Sequence, residues 1–156
     1  MRSQQRNRLK KRLKARNRKF LARSSRHSQP NERKKLKILA AGDIHGDSAT
    51  SKRLAARAEK EKVDLVILTG DFTSSGIETK NFLKPFKDKD KKVLLIPGNH
   101  ESFATTDFLA EMYGMKNIHG YSMKYNDVGI FGAGGALCFN TTDRALFETL
   151  KKGNDA

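Results

Sequence analysis

Three short apolar runs, each stopped by a glycine beside an acid or amide, constrain this chain more than any other feature. The run from Leu36 to Ala41 ends at Gly42-Asp43, that from Val63 to Thr69 at Gly70-Asp71, and Val93–Ile96 at Pro97-Gly98-Asn99-His100. Continuous apolar runs of this length read as strands buried on both faces. Between them the pattern turns helical. Leu54, Ala55 and Ala58 predict an amphipathic helix over about 48–61, and Glu78 to Lys87 predicts a second that Pro85 interrupts and keeps short. Thr105-Thr106-Asp107 reads as a cap for a helix through Tyr113, ended by Gly114. Strand–helix alternation of this kind predicts an α/β fold with a mainly parallel sheet. Further on, Tyr121–Tyr125 and Val128–Gly132, joined through Asn126-Asp127, predict an antiparallel hairpin, and Thr142–Lys152 predicts a last helix.

In a parallel sheet the carboxyl ends of neighbouring strands lie side by side, where such folds collect ligands. Asp43, His45, Asp71, Asn99 and His100 are therefore expected to converge, although 28 residues separate 43 from 71 and again 71 from 99. Two carboxylates, an imidazole and an amide oxygen form a hard-to-intermediate donor set, suited to Mn²⁺, Fe, Zn²⁺, Ni²⁺ or Mg²⁺. A carboxylate shared by two ions is the natural bridge of a two-metal site acting on a phosphoryl group. Asp47 and Glu101 read as hydrogen-bond supports, His119 as a structural histidine, and the cluster Gly132, Gly134 and Gly135 as close packing.

The blocks Gly42-Asp43-Ile44-His45-Gly46, Gly70-Asp71 and Gly98-Asn99-His100-Glu101, in this order, resemble the first three signature blocks of the calcineurin-like metallophosphoesterases. The resemblance covers about residues 36–140. It implies a four-layer αββα sandwich, here in part: a mainly parallel first sheet followed by an antiparallel hairpin. It also implies that Asp43 and His45 bind one divalent metal ion, that Asp71 bridges two, and that Asn99 binds the second. His100 would protonate the leaving oxygen or stabilise the charged phosphoryl group. The implied activity is hydrolysis of phosphomonoesters or phosphodiesters by a metal-activated hydroxide at a dinuclear site. The family's later blocks, a strand-end His and Gly-His-X-His, have no counterpart after His119. On the resemblance, residues 36–156 are expected to be a domain truncated at its C-terminus, weakly active alone, with a separate chain as one source of the rest.

Charge separates the beginning of the chain from this body. Residues 1–35 hold 15 Lys/Arg against one acid, Glu32, so nearly all of the +15 net charge lies there, while residues 36–156 are almost neutral. Too little apolar surface is present in 1–35 to offset chain entropy, which predicts a disordered basic arm. Three readings of the arm stay open: contact with RNA or another polyanion, an organelle-targeting segment, and a solvated extension. A non-catalytic module that binds RNA or a partner through this arm is the alternative to an enzyme. The single Cys138 excludes an internal disulfide and suits a reducing, cytoplasmic setting. No run reaches the ~20 apolar residues of a membrane span.

Overall fold

The computed structural model describes residues 35–75, 77, 79–135 and 141–155. The expectation of a disordered, polyanion-binding arm falls on residues 1–34 and so lies outside the described residues, apart from Lys35.

The elements run β1 (Ile38–Ala41), α1 (Ser48–Lys60), β2 (Leu65–Thr69), α2 (Lys84–Asp88), β3 (Val93–Ile96), α3 (Phe103–Tyr113), β4 (Lys116–Asn117), β5 (Ser122–Tyr125), β6 (Val128–Phe131) and α4 (Asp143–Asn154). Strands β1 to β4 form one sheet in sequence order, every pair parallel, and β5–β6 form a separate antiparallel hairpin. This is the α/β architecture expected, with a parallel first sheet. The register levels the strand ends. Ala41 lies opposite Leu68, and Thr69 opposite Ile96, so the loops that follow β1, β2 and β3 leave the sheet at one rim.

Both faces of the sheet are used, which is why the strands are apolar at every position. Val66, Leu68, Val93 and Leu95 join a core with Ala55 and Ala58 of α1, Phe86 of α2, and Leu109, Ala110 and Tyr113 of α3. Leu65, Leu94 and Ile118 face the other way, against Met123, Tyr125 and Ile130 of the hairpin region. Phe72 and Phe82, both fully buried, stack with ring centroids 6.4 Å apart. Each such side chain contributes about 1.5–3 kcal/mol by leaving water. Phe72 directly follows Asp71, so its burial anchors the loop that carries that carboxylate.

Three local expectations need correction. The helix expected over 78–87 is only Lys84–Asp88, with Pro85 in its first turn rather than interrupting it. Proline's missing N–H costs nothing there, and its fixed φ suits helix entry. The residues before it form turns that bury Phe82 and Leu83. Helix α3 begins earlier than expected, because Ser102 is the N-cap and its hydroxyl accepts from the Thr105 N–H at 3.0 Å. Strand β4, two residues paired parallel to Leu94 and Leu95, had no sequence counterpart.

Candidate metal centre

Beyond the strands, the first two loops continue to run side by side. Asp43 N–H donates to the Gly70 carbonyl at 3.1 Å, His45 N–H to that of Asp71 at 2.9 Å, and Gly46 N–H to that of Phe72 at 2.8 Å. This pairing brings residues 43–46 against 70–72 without a strand. Asp43, His45 and Asp71 all adopt left-handed backbone, with φ of 53°, 47° and 49°. Non-glycine residues seldom do so, and Asp and His are among those that tolerate it best. Strain gathered on three polar residues of one rim is a hallmark of functional sites.

One donor atom from each of Asp43, His45 and Asp71 lies within 4.8 Å of the other two. Ligands held about 2.0–2.2 Å from one ion lie no more than about 4.4 Å apart, so small side-chain rotations bring this trio onto a common cation. His45 Nε2 is 3.9 Å from Asp43 Oδ1, and the Asp43 side chain is 83% exposed. The donor set fits a divalent cation that accepts oxygen and imidazole. Two carboxylates facing one space otherwise repel, and an ion between them removes that cost.

The third loop closes on the same carboxylate. His100 N–H donates to Asp71 Oδ1 at 3.1 Å, and the His100 ring meets the His45 ring edge-on, centroids 4.9 Å apart. The Asn99 amide lies beside Asp71; with its nitrogen inward it donates to Oδ1 at 3.2 Å and to Oδ2 at 2.9 Å. An amide oxygen offered to a cation at that point requires the group to turn over. All five residues singled out in the sequence therefore meet around Asp71.

The supporting acids differ in kind. Asp47 is the N-cap of α1: Oδ1 accepts from Ala49 N–H at 2.8 Å and Oδ2 from the Thr50 hydroxyl at 2.6 Å. These hydrogen bonds, the one from Thr50 foremost, hold its carboxyl below the usual value. Glu101 is 2% exposed and accepts from groups on two loops. Thr73, whose hydroxyl donates to Glu101 at 2.7 Å, escaped the sequence reading because nothing in its spacing marks a buried hydroxyl.

His119 stands apart from these ligand-type residues in its contacts. Its ring stacks on Phe103, with centroids 4.1 Å apart, and its Nδ1 accepts from Gly134 N–H at 2.9 Å. Burial lowers its pKa from the ordinary 6.5, with Asp107 opposing in part. The unfolded chain therefore binds this proton more readily than the folded one. The stability His119 contributes is complete above about pH 6.5 and is lost as pH falls toward the lowered folded value. Thermal melts between pH 5 and 8 are expected to show this slope, and His119→Gln is expected to flatten it.

The calcineurin-like phosphoesterase family matches the chain over residues 36–149, a span that holds all three glycine-closed loops. The chain belongs to that family. A solved structure of a calcineurin-like fold, the Thermus thermophilus protein TT1561, superposes with a TM-score of 0.60 at 15% identity. The match covers 73% of this chain and 60% of TT1561, and at that identity it speaks to the fold alone. No curated protein matches the chain in sequence. For this calcineurin-like phosphoesterase, the family and the trio at the strand ends together support a metal-dependent phosphoesterase in general terms. Among the described residues, no helix is long and apolar enough to cross a membrane.

Proposed function

We propose that this chain hydrolyses phosphomonoesters or phosphodiesters at a dinuclear centre in which Asp43 and His45 hold one divalent ion, Asp71 bridges, and Asn99 reaches the second. The observation that carries the reading is the convergence of Asp43, His45 and Asp71 donors within 4.8 Å at the ends of two adjacent parallel strands. A divalent cation bound there supplies Lewis acidity, lowering the pKa of water and offsetting phosphoryl charge. Asp71 suits the bridging position because the loops after β1, β2 and β3 all hydrogen-bond to it or to its backbone. His100 stands outside the donor trio, with its backbone tied to Asp71 and its ring against His45. From there its imidazolium can give a proton to the leaving oxygen or hold the negative phosphoryl oxygens.

The test is turnover of bis(p-nitrophenyl) phosphate by the full chain with Mn²⁺, read beside Mn²⁺ binding by calorimetry. Slow, Mn²⁺-dependent turnover is expected. Asp71→Ala should abolish both turnover and binding. His100→Asn should lower kcat by about 10²–10⁴-fold and leave Mn²⁺ binding in place. Turnover that survives Asp71→Ala would exclude this site.

A further inference from the structure

We infer that Glu101 is a positioning residue for the candidate metal centre: its buried carboxylate sets the pose of Asp71 without touching the ion. The inference rests on the reading of Asp71 as a metal ligand. Glu101 is 2% exposed, and both its oxygens are occupied. Oε2 accepts from Asp71 N–H and from Gly98 N–H, each at 3.0 Å. Oε1 accepts from Thr73 N–H and the Thr73 hydroxyl, each at 2.7 Å.

The pattern is reciprocal. Glu101, on the loop after β3, takes backbone donors from the loop after β2. Asp71, on the loop after β2, takes the backbone donor of His100 from the loop after β3. Each carboxylate thus fixes the other's main chain. Asp71 sits at φ 49°, a conformation its residue type adopts only when its surroundings enforce it, and Glu101 grips the N–H of that same residue. A carboxylate whose backbone is held this way presents its oxygens in one direction, which a metal site requires of a ligand.

Chemistry sets the order of the variants. Glu101→Ala removes all four acceptances. Glu101→Gln keeps one oxygen for Asp71 and Gly98 and turns its NH₂ toward Thr73. There the hydroxyl can rotate to accept, but the backbone N–H then faces another donor. Val93→Ala serves as a control, since it loosens the core at the opposite end of β3, where Val93 is buried.

Mn²⁺ affinity by calorimetry and the Mn²⁺ EPR line shape are read on the full chain, with thermal midpoints measured beside them. Glu101→Ala is expected to weaken Mn²⁺ binding by about 10–100-fold. Glu101→Gln should fall between it and the parent, and Val93→Ala should bind as the parent does. Should Glu101→Ala fail to fold, Glu101→Gln carries the test, and parent-like affinity in it overturns the inference. Parent-like affinity in a folded Glu101→Ala also overturns it, as does an equal loss in Val93→Ala. If Asp71→Ala abolishes binding while Glu101→Ala does not, the positioning role falls and the function stands. If Asp71→Ala binds normally, both fall.

Discussion

Gly98→Ala is expected to abolish Mn²⁺ binding and to destabilise the fold by about 1–3 kcal/mol, the ordinary range for forcing an extra carbon into packed surroundings. The cause is steric rather than conformational, because Gly98 is not among the positive-φ glycines. A Cβ at this position falls on Asp71 Oδ1, and lies 2.5 Å from Asp71 N and 2.9 Å from Asp71 Cγ. Asp71 has nowhere to go. Its N–H is held by Glu101, its Oδ1 takes the His100 N–H, and the preceding Gly70 sits so close that a Cβ there would lie 2.7 Å from Gly98 Cα. The methyl group therefore displaces the very carboxylate proposed as the bridge. Gly129→Ala is the matched control: nothing lies within 4 Å of its Cβ position, and its substitution should leave both quantities near the parent. A Gly98→Ala protein with parent-like Mn²⁺ affinity would show that the Asp71 pose does not matter to the centre.

The rim of the sheet was legible in the sequence for a simple reason. Strands buried on both faces have to be apolar throughout, so the polar residue that ends each one stands out, and parallel pairing brings those ends together. That reasoning reached Asp43, His45, Asp71, Asn99 and His100. It could not reach Glu101's grip on two loops, because hydrogen bonds from a side chain to backbone across 28 and 30 residues leave no periodic trace. Strand β4 was invisible on other grounds: two residues, Lys116 and Asn117, carry no alternation to read. Pro85 reads two ways because proline both breaks a helix from inside and begins one, and only the burial of Phe82 and Leu83 ahead of it decides which. The left-handed backbone at Asp43 and His45 was likewise hidden, since the neighbouring glycines Gly42 and Gly46 are the natural places for a chain to turn. In the structure Gly46 does have φ 71°, but the aspartate and histidine share the turn with it.

That shared turn separates stability from function at Asp43. Asp43→Gly and Asp43→Ala are both expected to weaken Mn²⁺ binding by at least about 10-fold, since each removes a carboxylate from the donor trio. Their stabilities should move in opposite directions. At φ 53° an L side chain crowds its own carbonyl, at a cost of about 1–2 kcal/mol, which glycine does not incur. Against this, glycine loses about 0.5–1 kcal/mol more chain entropy on folding than alanine. The balance favours glycine by up to about 1 kcal/mol over alanine. Relative to the parent, alanine also lacks the short polar side chain that makes this conformation tolerable for aspartate, so it should be the least stable of the three. The Asp43 side chain is largely exposed, and its near neighbour His45 Nε2 is 3.9 Å away, so little packing is lost with it. Urea denaturation without added metal should rank Asp43→Gly at or above the parent and Asp43→Ala below. With Mn²⁺ in excess the parent alone should gain stability, because only it binds the ion tightly enough to shift its unfolding. Equal stability for the glycine and alanine variants would mean that residue 43 is unstrained. Equal Mn²⁺ protection in all three would mean that its carboxylate is no ligand.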